Sequence, residues 1–113
     1  MIFLNEYQAA ALRTINPALD MKQHLTNGIM GLNGESGECI DLLKKHLFQG
    51  HTNLDKEHLA KELGDVAWYL AVASWALGYD LETICTMNIQ KLEARYPEKF
   101  IPELSENREE GDI

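Results

Sequence analysis

The stretch GIMGLNGESGECIDLLKK, residues 28–45, decides how this chain is read. Glycines stand at 28, 31, 34 and 37, with Glu35 and Glu38 among them. A glycine in a helix interior costs about 1 kcal/mol relative to alanine, yet the apolar residues around these four keep helical time. Leu25, Ile29, Leu32, Ser36, Cys39 and Leu43 are spaced alternately four and three apart, the stripe of a helix packed in a bundle. The pattern predicts one helix from Met21 to Phe48. Its glycines either let a neighbouring helix or a ligand approach the backbone closely, or mark a break at Gly28 and Gly31 with a restart near Asn33. Both alternatives leave Glu35 and Glu38 one helical turn apart.

Working outward, a short helix fits Leu4 to Thr14 and ends at Asn16-Pro17. After the loop QGHTNLD, Asp55 is suited to cap a third helix, which runs to Leu77 and stops at Gly78. Asp80 is suited to cap a fourth, carrying Leu81, Ile84, Cys85, Ile89 and Leu92 before Pro97. Strand signals are nearly absent. The expected fold class is all-α, a four-helix bundle-like subunit. One domain spans residues 1–102, and residues 103–113 form an acidic, solvated and flexible tail with five acids and one arginine. The third helix, with VAWYLAVASWALGY, is apolar nearly all the way round and must be covered on every side. Four modest helices cannot enclose it, so an oligomeric core shared with a second copy is expected.

Length and charge exclude several classes. A chain of 113 residues suits one hydrophobic core, and 45% hydrophobic with 25% charged residues is ordinary globular composition. A net charge of -8 argues against a partner among the nucleic-acid polymers. It leaves room for a nucleotide whose phosphates are neutralised by divalent cations. Two cysteines, Cys39 and Cys85, fall inside apolar helical patterns and read as buried thiols rather than a disulfide framework. The N-terminus lacks a signal-peptide pattern, and the most apolar run is too short for a membrane span, which points to a cytoplasmic protein with no membrane partner.

The chemistry is concentrated in two carboxylate pairs. Glu35 and Glu38 share a helix face, and Glu62 and Asp65 repeat the spacing in KELGDVAWYL. Two antiparallel helices would converge all four on one site. Like charges at this spacing repel unless a cation intervenes, and hard oxygen donors suit Mg²⁺, or Mn²⁺, rather than zinc. On the fourth helix Asn88, Lys91 and Arg95 line one face, where an amide and two cations can hold phosphate oxygens. Tyr69, one turn beyond Asp65, is placed to stack on a nucleobase or to pack in the core, and Lys45, two turns beyond Glu38, to reach phosphate or solvent. Tyr7 and Gln8 are further candidates for the base end. The histidines at 24, 46, 51 and 58 show no catalytic partner or ligand spacing.

Taken together, these residues resemble the MazG-like all-α nucleoside triphosphate pyrophosphohydrolases. That family's pattern is Glu-x-x-Glu, a spacer of some two dozen residues, then Glu-x-x-Asp. Here ESGE at Glu35–Glu38 is followed after 23 residues by ELGD at Glu62–Asp65, within the surroundings GLNGESGE, KELGDVAWYL and KLEARYP. The resemblance covers roughly Leu25 to Pro97. It implies Mg²⁺-dependent cleavage between the α and β phosphates of a nucleoside triphosphate, giving monophosphate and pyrophosphate. It also implies Glu35, Glu38, Glu62 and Asp65 as metal ligands, phosphate contacts from Asn88, Lys91 and Arg95, and a dimer or tetramer.

A carboxylate not fully engaged with metal is free to take the proton of the attacking water, and Glu38 is the candidate for that catalytic role. Nucleotide-pool sanitation is one purpose such an activity would serve. The competing function is a non-enzymatic helical dimerisation or regulatory module that keeps the carboxylates for a structural metal. A metal phosphohydrolase acting on esters is disfavoured, since no His-Asp pair stands out.

Overall fold

Asp20 sets the start of the central helix. In the computed structural model, which describes residues 1–113, its side chain accepts from the Gln23 N–H at 2.8 Å while Gln23 Oε1 accepts from the Asp20 N–H at 3.0 Å. This reciprocal capping box satisfies two donors that the first helical turn leaves unpaired. Helix α2 then runs unbroken over Met21–Phe48, so the glycines do not interrupt it. The remaining helices are α1 (Leu4–Leu12), α3 (Lys56–Leu77), α4 (Leu81–Arg95) and a short α5 (Pro102–Glu106); no strand is formed. Asp55 caps α3 by accepting from the His58 N–H at 3.0 Å, and Gly78 ends it with φ at +95°, a conformation that suits glycine.

The chain divides into two compact units, Met1–Leu81 and Glu82–Ile113. In the first, α2 and α3 pack along their length and α1 packs on α3. Gly28 lies against Ala73 and Gly31 against Tyr69, while the carboxylates of Glu35 and Asp65 meet further on. As α2 advances, α3 retreats, so the pair is an antiparallel hairpin. A Cβ on Gly28 would lie 2.9 Å from Ala73 Cβ and 3.1 Å from Ala73 Cα. A Cβ on Gly31 would overlap the Tyr69 ring. Both glycines serve close helix approach, whereas Gly34 and Gly37 face open space.

Gln8 ties α1 in place. Its amide donates to the carbonyls of Ala71 (3.0 Å) and Tyr79 (3.3 Å), and its oxygen accepts from the Leu81 N–H at 3.0 Å. Each bond contributes about 1 kcal/mol net, and removing the side chain would strand buried backbone groups. The Trp68 indole N–H donates to Thr14 Oγ at 2.8 Å, a second tie between the α1 end and α3. Ala11, Ala71, Val72, Ala73 and Leu81 are the buried apolar residues. This core is small, and the hairpin leaves Ile29, Met30, Ile40 and Phe48 on α2 and Leu63 and Leu77 on α3 exposed. Cys39 and Cys85 are unpaired, as expected, but half-buried rather than buried.

In the second unit, the C-terminal segment is mostly exposed, yet it carries structure that its composition did not suggest. Pro102 at the start of α5 has the fixed φ a first helical turn accepts. Asp112 forms an ion pair with Arg95 at 2.7 Å.

Candidate metal and nucleotide site

Three of the four carboxylates come together. Glu35 from α2 and Glu62 and Asp65 from α3 each offer a ligand atom, and these atoms all lie within 4.8 Å of one another. The antiparallel register puts Glu35 opposite the Glu62–Asp65 turn, and the three-residue spacing keeps both α3 carboxylates on the side that faces α2. Glu35 and Glu62 are half-buried and Asp65 is exposed. Burial, a hydrogen bond with the Glu62 carboxyl and the charges of Asp65, Glu62 and Glu38 raise the pKa of Glu35 above its ordinary 4.5. Burial and crowding by other carboxylates both disfavour the charged form of Glu35, and a bound cation would offset both.

The donor set fits a hard divalent ion. All the donors are carboxylate oxygens, the coordination that Mg²⁺ and Mn²⁺ take, usually keeping several waters. Glu38, one turn along α2, is exposed and lies outside the close trio, although its charge is felt at Glu35 and at Lys45.

His58 joins the site in a way its sequence context had not suggested. Its Nε2 lies 3.0 Å from Glu62 Oε1 across one turn of α3, fixing one oxygen of that carboxylate. The i, i+4 spacing of His58 and Glu62 was the available signal. Hydrogen-bonded partners of this kind orient ligand carboxylates.

The aromatic wall is also partly new. Glu35, Asp65, Trp68 and Tyr69 line an open groove of about 370 Å³. The Trp68 and Tyr69 rings meet edge to face, with centroids 5.0 Å apart and planes at 87°. Tyr69 therefore lies beside the carboxylates with its ring against Gly31. Trp68 is three residues from Asp65 and so shares its face, but in sequence it reads as part of the apolar wall of α3. Tyr7 also borders the site. Burial and the charge of Asp65 raise its pKa above 10.0. Gln8 does not, since both ends of its amide are held by backbone.

Lys45 is engaged within α2, 2.8 Å from Asp41 Oδ2. That contact is the main reason its pKa is raised. Asn88, Lys91 and Arg95 belong to α4. Asn88 and Lys91 are exposed, and Arg95 is held by Asp112.

The sequence that builds this all-α hairpin and its carboxylate trio matches a known family. The profile of the MazG nucleotide pyrophosphohydrolase domain matches residues 23–100, and the chain belongs to that family. A relative, the Gene 37 protein of Mycobacterium phage L5, is 36% identical over 109 residues, covering 90% of this chain and 96% of that protein. No solved structure matches the chain significantly. No helix is long and apolar enough to cross a membrane.

Proposed function

We propose that this chain is a Mg²⁺-dependent nucleoside triphosphate pyrophosphohydrolase, with Mn²⁺ as an alternative ion, that adds water across the α–β phosphoanhydride to release monophosphate and pyrophosphate. The observation that carries this reading is the meeting of Glu35, Glu62 and Asp65 on facing turns of α2 and α3. Carboxylates gathered in this way would hold a divalent cation, which would supply neutralisation of phosphate charge and acidification of water. Glu35, Glu62 and Asp65 would be its ligands, with Glu38 completing the acidic face.

Glu38 is also the residue assigned to take the proton of the attacking water, because it stands outside the close trio. Tyr69, with Trp68 beside it, supplies a stacking surface for the base. Asn88, Lys91 and Arg95 keep the phosphate-binding role that the family resemblance gives them, and Lys45 is a further phosphate candidate once released from Asp41. A second copy of the chain is the partner that would cover the exposed apolar residues of α2 and α3. A cytoplasmic role in clearing unwanted nucleotides fits the reaction.

Product analysis tests the proposal. A panel of ordinary and modified nucleoside triphosphates is incubated with Mg²⁺ and with EDTA. Metal-dependent monophosphate plus pyrophosphate is the expected result, whereas diphosphate plus orthophosphate would mean the wrong bond. Stabilisation by Mg²⁺ with no turnover of any triphosphate would favour a regulatory module with a structural metal.

A further inference from the structure

The second unit holds one of its own carboxylates where a phosphate is expected. Arg95 donates from Nε to Asp112 Oδ2 at 2.8 Å and from Nη2 to Asp112 Oδ1 at 2.7 Å. Only 10% of the Arg95 side chain and 16% of the Asp112 side chain are exposed. This two-pronged geometry is the one in which a guanidinium also grips two oxygens of a phosphate.

The pair sits in a cavity of about 320 Å³ that Lys91, Asn107, Arg108 and Glu109 also line. Arg95 first, with Arg108 and Lys91, holds the Asp112 carboxyl below its ordinary range. Three cations thus share this cavity with two carboxylates, Asp112 and Glu109, a local excess of positive charge in a chain whose net charge is -8. A turn delivers the carboxylate. Gly111 takes φ of +88°, and the Asp112 N–H donates to the Glu109 carbonyl at 3.1 Å.

We infer that Asp112 is an internal occupant of a polyphosphate-binding pocket centred on Arg95, so that the C-terminal segment competes with substrate phosphate for that guanidinium. The inference rests on the reading of Arg95 as a phosphate ligand. A tie that only orders the C-terminus would leave phosphate affinity unchanged. A tethered competitor acts at an effective concentration on the order of millimolar and weakens apparent affinity by the fraction of time it occupies the site.

The test is calorimetric titration of the full chain with inorganic pyrophosphate in EDTA, so that no metal bridges the anion to the carboxylate site. Asp112→Asn is expected to bind roughly 3- to 10-fold more tightly than the unaltered chain. Arg95→Gln binds most weakly, and Asp112→Glu, which keeps the charge, returns towards the unaltered value. Equal or weaker binding by Asp112→Asn overturns the inference, as does absence of binding by all of these chains. In steady-state assays with Mg²⁺ and a triphosphate, Asp112→Asn should lower KM by a similar factor at unchanged kcat, and Arg95→Gln should raise KM. Arg95→Gln raising KM while Asp112→Asn leaves it alone refutes the competition and spares the role of Arg95. An unchanged KM in Arg95→Gln refutes both.

Discussion

Gly28 and Gly34 lie on the same helix, and alanine at each should have opposite effects on stability. At either position alanine favours the helix by about 1 kcal/mol. At Gly34 nothing lies within 4 Å of the added Cβ, so that gain stands unopposed. At Gly28 the Cβ would meet Ala73 Cβ at 2.9 Å and Ala73 Cα and N at 3.1 Å. Backbone atoms of a packed helix cannot swing away as a long side chain does, so α2 and α3 must separate. Overpacking of this kind costs about 1–3 kcal/mol, and after the propensity gain of about 1 kcal/mol the net loss runs up to about 2 kcal/mol. The two variants should therefore differ by about 1–3 kcal/mol, the overpacking cost itself, which in a domain of this size separates their melting temperatures by roughly 4–15 °C. Thermal melts followed by far-UV circular dichroism, with urea midpoints as a second measure, check this. Gly28→Ala as stable as Gly34→Ala would refute the close helix approach. A destabilised Gly34→Ala would place a neighbour against a position that faces open space.

The site yields further expectations. Glu35→Gln should raise the metal-free melting temperature while abolishing triphosphate turnover, because it removes one of the mutually repelling charges along with a ligand; a lower melting temperature would mean the trio is held by something other than a cation. The raised pKa of Glu35 fixes the sign of a pH effect. The folded chain holds that proton more tightly than the unfolded one, so in EDTA stability falls as pH rises from 4.5 through the raised value and then levels off. Melts across that range should show the fall, and Glu35→Gln should flatten it; an equal slope in the variant would assign the effect elsewhere. His58→Ala frees one oxygen of Glu62 and should weaken Mn²⁺ binding by about 10-fold or more, as loss of such orienting partners does, with unchanged affinity removing His58 from the site. Glu38→Gln should lose turnover while still binding metal, and retained turnover would take Glu38 out of the mechanism.

Local rules carried most of the fold. The Asp20–Gln23 capping box, the Asp55 cap and the Gly78 stop are written in a few consecutive residues, so the ends of α2 and α3 were legible. The two carboxylate pairs were legible for the same reason. Spacing alone did not say which members meet. It put Glu38 on the same face as Glu35, yet only Glu35 falls opposite Glu62 and Asp65, because the register of α2 on α3 is set by the contacts at Gly28 and Gly31. Those contacts also resolve the glycine pattern. Two of the four glycines make room for α3 and two do not, a distinction that exists only once the helices are packed. The Arg95–Asp112 pair joins residues 17 apart in a stretch whose composition reads as solvated, and no local pattern announces it.

The most direct test of the central claim is Mn²⁺ titration of the full chain, followed by water-proton relaxation, beside Glu35→Gln and Asp65→Asn. If Glu35, Glu62 and Asp65 form a metal centre, the unaltered chain binds saturably and each variant loses about 10-fold or more in affinity, as removing one of so few charged ligands demands. Equal Mn²⁺ binding in all three chains would contradict the account.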